Sequence, residues 1–322
     1  MFFNIFKRKN FNHAVASSKD KPVSDLSIYI PIVKYTSYDT SSDLSFSDRL
    51  YLSLKGCALG DFAGQPYEFT PLDECKDITQ DELYKFAKDT TDDTILTCAT
   101  AQALCMKFDD PNIGSTIFGD LYRKYAKQYP SPLGGYGSRF LAWVYTGIDP
   151  QSCGNGSAMR VSPCGCLDNV EDVIKAAYES AICTHNHPEG IKGAIVVAVC
   201  IWMAFHGCSK EDIGNYASQM YAESPYSPAL KWSKLKSYKQ AQGNTAVCQT
   251  TVPMAISCFV NSTNFEDCIL KAVQFGWDTD TQAAIAGSIA GAYYKRFDDL
   301  SNCKWEEIKE TPYIKSILAL NV

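Results

Sequence analysis

The chain has 322 residues, 30 Lys and Arg against 36 Asp and Glu, a formal charge of −6 and 46% hydrophobic residues. That composition supports a sizeable core and excludes bulk disorder, and the acidic balance argues against a general binder of nucleic acid or anionic membrane, whose footprint is basic. At about 150 residues per domain the length allows two domains, and one large helical domain fits equally. Residues 1–45 mix basic, β-prone and turn-forming pieces without helical period, and strict alternation is confined to 27–33. They are expected to form an N-terminal extension, partly extended or flexible, ahead of a single all-α domain over 46–322. Ser47 reads as the first N-cap, with Asp48 in the first turn and Leu50, Leu52, Leu54 and Cys57 following. Apolar spacings of three and four then predict helices over 94–107, 115–128, 170–183, 191–206, 212–222, 247–260, 265–275 and 281–297. Gly, Pro, Asn and Ser clusters at 130–137, 152–157, 225–228 and 261–264 punctuate them as loops.

The fourteen cysteines lie too sparsely for a disulfide scaffold, and many sit inside apolar helical patterns, so buried reduced thiols are expected. Cys164 and Cys166 form the only close pair, without a second pair at zinc-finger spacing. The longest apolar run, 194–205, has twelve residues, short of the roughly twenty a spanning helix needs. The first residues place their basic side chains after a short apolar stretch, the reverse of a secretory signal. A cytoplasmic, reducing location and no membrane association are expected.

Five constellations carry chemistry. Asp89-Thr90-Thr91-Asp92-Asp93-Thr94 and Asp278-Thr279-Asp280-Thr281 each open a helix. Capping uses one polar residue and one first-turn acid. Each start here has more carboxylates than that, and adjacent unpaired carboxylates repel unless a hard divalent cation bridges them. Asp92, Asp93, Asp278 and Asp280 together match the charge of two Mg²⁺ ions. The third constellation, Gly154-Asn155-Gly156-Ser157-Ala158-Met159-Arg160 after Ser152-Cys153, is a tight turn or a cradle for phosphate oxygens at a helix start. In the fourth, Thr184-His185-Asn186-His187, a pair of histidines two apart is weak for zinc and better suited to a neutral imidazole on a pocket wall. The fifth, Gly60-Asp61-Phe62-Ala63-Gly64-Gln65-Pro66-Tyr67-Glu68-Phe69, ends the first helix and carries Glu68, either a solvated loop acid or, if buried, a proton carrier.

In this order the segments GCALGDFAGQPYEF, DTTDDT, GNGSAMRVSPCG, THNHPEG and GWDTDTQAAIAGSIAGAYY closely resemble the ADP-ribosylglycohydrolase family, over about residues 54–294. The resemblance implies a compact orthogonal helical bundle with a binuclear Mg²⁺ site that cleaves ADP-ribose from a modified residue or small acceptor. It assigns Thr91, Asp92, Asp93, Asp278, Asp280 and Thr281 to the metals and Glu68 to catalysis or gating. Asp92 and Asp93 remain alternatives to Glu68 as the base. Ser152, Cys153, Gly154, Asn155 and Gly156 correspond to the pyrophosphate loop, and His185 lines the same ligand. Two positions depart from the pattern: Cys153 stands where an aromatic often flanks the loop, leaving Tyr136 as a stacking candidate, and Trp277 replaces a glycine and is expected to narrow the pocket. The expected substrate is an ADP-ribosylated protein, arginine-linked, or a small ADP-ribosyl compound, handled by a monomer. A His-Asp phosphohydrolase is disfavoured by four histidines without a His-Asp pair. A catalytically weak ADP-ribose-binding or inhibitory protein, engaging a partner through its extension, is the alternative function.

Overall fold

The computed structural model describes residues 25–31, 44–110, 112–222, 233–234 and 246–320, so most of the expected extension and the loop expected at 225–228 lie outside the described residues. Among the described residues the fold is all helix, with isolated bridges in place of strands. The elements used below are α1 (Phe46–Gly64), α2 (Leu72–Cys75), α3 (Asp92–Asp109), α4 (Thr116–Gln128), α5 (Ser138–Thr146), α6 (Gly156–Met159) and α7 (Val170–Ile182). They continue with α8 (Pro188–Phe205), α9 (Lys210–Met220), α10 (Cys248–Val260), α11 (Phe265–Gln274), α12 (Thr279–Tyr294), α13 (Asp299–Ile308) and α14 (Pro312–Leu318). Apolar periodicity does not reveal α5, α13 or α14.

Several helices start one to three residues away from expectation, and for three of them the local reason is visible. The N-cap of α1 is Ser45, because Asp48 three residues on closes a reciprocal capping box with it. α3 begins at Asp92 because Thr91 caps it, which draws both Asp92 and Asp93 into its first turn. α8 begins at Pro188, whose missing N–H costs nothing at a first turn, with His187 Nδ1 accepting from Glu189 N at 3.1 Å. That extension makes α8 eighteen residues long and apolar enough, by length and composition, to cross a membrane, unlike the twelve-residue run first apparent. In the fold it is buried from Gly190 to Phe205 except at Lys192. Of the stretch 27–33, where alternation suggested extended chain, residues 27–31 are described, and there the backbone enters a 3₁₀ turn (Leu26–Tyr29), with buried Tyr29 accepting through its carbonyl from Tyr216 Oη at 3.0 Å. All fourteen cysteines are free, eleven of them buried.

The contact that positions the site is the crossing of α1 and α12. Gly56, Gly60 and Gly64 repeat every four residues along one side of α1 and meet Gly287, Ala283 and Thr279 of α12 in turn. A Cβ on Gly56 would lie 2.2 Å from Gly287 O, and one on Gly60 would lie 2.1 Å from Ala283 O. No larger residue fits this approach of two backbones. At its far end, Thr279 Oγ1 donates to Gly64 O at 2.7 Å, which sets the start of α12 beside the end of α1.

Candidate active site

Asp61, near the end of α1, is fully buried and organises the start of α3. Thr91 N donates to its two carboxylate oxygens at 3.1 and 2.9 Å, while Thr94 N and Oγ1 donate to Oδ2 at 3.1 and 2.5 Å. With the backbone held there, Thr91 Oγ1 accepts from Asp93 N at 3.2 Å, and the carboxylates of Asp92 and Asp93 are left to the cleft above. Thr281 Oγ1, from the start of α12, donates to Asp93 Oδ2 at 3.3 Å, so the two acidic clusters meet. Glu68, Asp278 and Asp280 each place a carboxylate oxygen within 4.8 Å of the others.

The opposite wall is the loop before α6. Gly154 pairs with Val247 in an isolated bridge, Asn155 N donates to Ala246 O at 3.3 Å and Cys248 N donates to Cys153 O at 3.0 Å. Ser152 Oγ accepts from Gly154 N at 3.0 Å. Two of the amides expected to cradle an anion are therefore used in shaping the loop. Asn155 Nδ2 donates to Asp278 Oδ2 at 2.5 Å and to Thr251 Oγ1 at 3.1 Å, joining the loop to the second acidic cluster. Behind the loop stands His185, and a Cβ on Gly156 would lie 3.0 Å from its Nε2. Gly134, in a left-handed conformation, lies over Glu68: a Cβ there would be 2.6 Å from Glu68 Oε2.

The walls enclose a cleft of about 380 Å³. Its lining brings together Glu68, Asp92, Asp93, Asp278, Asp280, Thr281, Ser152, Gly154, Asn155, Gly156, His185 and Tyr136. Thr91 is buried beneath it, and Cys153, half-buried and engaged through its carbonyl, does not line it. Nor does Trp277 narrow it. That residue takes φ 71°, the conformation a glycine adopts easily, and its backbone is committed to pairing with Thr70.

Residues 42–300 match the model of the ADP-ribosylglycohydrolase family. The chain belongs to that family. It is by that membership a hydrolase of glycosidic bonds. It is 30% identical over 268 residues to an ADP-ribosylarginine hydrolase, Tri1, of Pseudomonas putida (strain GB-1), covering 77% of this chain and 71% of that one. It is 28% identical over 263 residues to ADP-ribosylhydrolase ARH3 of Mus musculus, covering 63% and 69%. A solved ADP-ribosylglycohydrolase-related protein complex shares the fold at a TM-score of 0.59 and 22% identity, covering 85% of this chain and 95% of that chain.

The electrostatics of this ADP-ribosylglycohydrolase cleft are those of a site built for a cation. Burial, reinforced by Asp61 and Glu68, holds the Asp92 carboxyl well above the usual range. Asp93 is raised by burial and by Asp61 and Asp92, and Asp280 by burial and by Asp278 and Asp93. Glu68 is pushed up to about 7 by burial and then by Asp278 and Asp61. Asp93 Oδ1 is buried without a hydrogen-bond partner. An orphaned carboxylate oxygen among mutually repelling acids is the deficit that a hard divalent cation fills, and the donor set is all oxygen.

Sequence reasoning gave no role to Asp61, Arg160 or Phe69. For Asp61 the available signal was an acid inside an otherwise apolar helix end. Its four hydrogen bonds do not offset burial, and its carboxyl stands at about 6. Arg160 and Phe69 both line the cleft. Phe69 is 60% exposed at φ 58°, and nothing in its local sequence announces that conformation.

Proposed function

We propose that this protein is a magnesium-dependent hydrolase that releases ADP-ribose from a modified residue, with ADP-ribosyl-arginine the favoured linkage, and so reverses ADP-ribosylation. The observation that carries it is the meeting of two acidic helix starts at Thr281 and Asp93, with Asp93 Oδ1 left unpartnered, in one cleft with a glycine loop tethered through Asn155 to Asp278. The P. putida relative, an ADP-ribosylarginine hydrolase, supports the choice of linkage. Free thiols throughout support a reducing, cytoplasmic setting.

Thr91, Asp92, Asp93, Asp278, Asp280 and Thr281 would hold two Mg²⁺ ions, whose charge the four aspartates balance. Bound there, the ions supply Lewis-acid polarisation of ribose hydroxyls and of a nucleophilic water. Glu68 lies at the edge of this cluster, half-buried, with a carboxyl near neutrality in its protonation equilibrium. It accepts the proton of the water that attacks the anomeric carbon. The surrounding carboxylates stabilise the positive charge that develops on the sugar ring as the glycosidic bond breaks. The 152–156 loop and His185 hold the diphosphate, and Tyr136, fixed by its hydroxyl to Tyr129 O at 2.9 Å, offers a ring face to the adenine.

Release of ADP-ribose from a panel of defined linkages, with Mg²⁺ and with EDTA, tests the proposal. Metal-dependent release from the arginine linkage is expected. Release from no linkage, or release unaffected by EDTA, would overturn it.

A further inference from the structure

Arg160, immediately after α6, is fully buried yet lines the cleft. Its Nη2 donates to Ser180 O at 3.1 Å and to Thr184 Oγ1 at 2.7 Å, and its guanidinium lies 3.9 Å from the centre of the Tyr122 ring. Nε and Nη1 have no hydrogen-bond partner. Among the described residues no carboxylate lies within ion-pair distance of it. A buried, unpaired cation at a cleft wall favours an anion in the cleft and opposes any second cation beside it.

From Thr184 the contacts lead on to His185, whose Nδ1 lies 2.7 Å from Thr184 Oγ1. Proton counting fixes the first of these bonds. A guanidinium only donates, so Thr184 Oγ1 accepts from Arg160. The hydroxyl keeps one proton and a second lone pair, and at 2.7 Å from His185 Nδ1 it can give that proton to the ring. Burial and the neighbouring Arg160 hold the imidazole pKa well below its usual value, so the ring is neutral. With Nδ1 accepting, the ring proton resides on Nε2. That is the atom facing the loop: a Cβ on Gly156 would lie 3.0 Å from it, and one on Gly154 would lie 3.7 Å away.

We infer that Arg160 and Thr184 are positioning residues that lock His185 as its neutral Nε2–H tautomer, so that the loop presents a diphosphate with a donor and not a lone pair. The inference rests on the diphosphate-binding role proposed above for this loop. It explains why the loop can spend the amides of Gly154 and Asn155 on its own shape and still bind an anion. The donor lost from the backbone is returned by a side chain whose proton is fixed two residues away from the ligand.

The test uses the full chain with Mg²⁺. The imidazole ¹⁵N spectrum, with the His185 signals assigned by their loss in His185→Gln, should show the Nε2–H tautomer from pH 6 to 8. Thr184→Val removes the relay hydroxyl. It should weaken ADP-ribose binding by about tenfold, as expected for losing an oriented donor to a charged acceptor, and should mix the two tautomers. Thr184→Ser should restore both. An Nδ1–H tautomer in the wild-type protein, or protonation of His185 within that pH range, would overturn the inference even if Thr184→Val fails to fold. Unchanged ADP-ribose affinity in a folded Thr184→Val would do the same. Wild-type protein that binds no ADP-ribose would instead overturn the proposed function, and the role of the relay with it.

Discussion

The two walls of the cleft are finished to different degrees by the protein itself. On the glycine-loop side nearly every polar group has an internal partner: Gly154 N on Ser152, Asn155 N on Ala246, and the Asn155 side chain on Asp278 and Thr251. On the acidic side Asp93 and Asp280 are buried and Asp92 half-buried beside them, all raised well above the normal carboxylate range, with Asp93 Oδ1 orphaned. The backbone of the loop is satisfied without a ligand, whereas the acidic wall is completed only by positive charge. Substitutions on the two sides should therefore have opposite signatures in the metal-free protein.

The largest effect is expected from Asp280→Asn. Loss of one conserved-shape ligand oxygen should reduce Mg²⁺-dependent turnover by more than about a hundredfold, since even partners outside the ligand set cost 10–100-fold at metal sites. The substitution keeps the acceptor for Thr281 N, now 2.9 Å from Asp280 Oδ1. Because it also removes one charge from a crowded cluster, the chelated variant should melt no lower than chelated wild type at pH 8. A variant that loses its fold in EDTA would show that the acids are a structural network.

The acidic wall should also reverse the usual dependence of stability on pH. Glu68 stands at about 7 and Asp61 at about 6 in the folded chain, against about 4 when unfolded. A folded pKa raised above the unfolded value stabilises fully below about pH 4, and that contribution is lost as pH rises through about 6 to 7. In EDTA the melting temperature should accordingly fall between pH 5.5 and 8. Saturating Mg²⁺ should restore it most at pH 8, where the cluster is ionised. A metal-free melting temperature that rises over that interval would contradict this account of the wall.

On the loop side the effect should be smaller and confined to the nucleotide. Gly156→Ala places a methyl group 3.0 Å from His185 Nε2 and 3.1 Å from Cε1, so the ring must give by a few tenths of an ångström. ADP-ribose binding should weaken by about 1 kcal/mol, about fivefold. Calorimetric Mg²⁺ affinity should not change.

The sequence showed these two walls unequally, for a physical reason. Acid crowding at two helix starts is local, because helix periodicity places Ile95 and Ala283 and thereby identifies the residues just before them. The helical character of the core was legible in the same way. Asp61 was not, since its carboxylate acts on Thr91 and Thr94, thirty and thirty-three residues away. The loop was recognisable by its glycines, but which amides remain for a ligand depends on Ala246 and Val247, about ninety residues on. Trp277 misled because a bulky residue in place of a glycine suggests a filled pocket, whereas here the chain keeps the glycine conformation and accepts the strain.

That strain gives the smallest expected effect and the finest distinction between the walls. Phe69 and Trp277 both hold left-handed backbones, at φ 58° and 71°, beside the bridge between Thr70 and Trp277. Phe69 N donates to Trp277 O, and Trp277 N donates to Thr70 O at 2.6 Å, so each enforces the conformation of the other. For a bulky L-residue this costs about 1–2 kcal/mol, and asparagine tolerates it better. Phe69 is 60% exposed and surrenders little burial, so Phe69→Asn should raise stability by about 0.5–1 kcal/mol in thermal melts. Phe69 also lines the cleft next to Glu68, whereas Trp277 does not. Exposed in the cleft beside Glu68, its ring would meet the acceptor side of the substrate proposed above. Phe69→Asn should therefore raise KM several-fold with kcat nearly unchanged, and a more stable variant with unaltered KM would leave Phe69 as a structural residue of the rim.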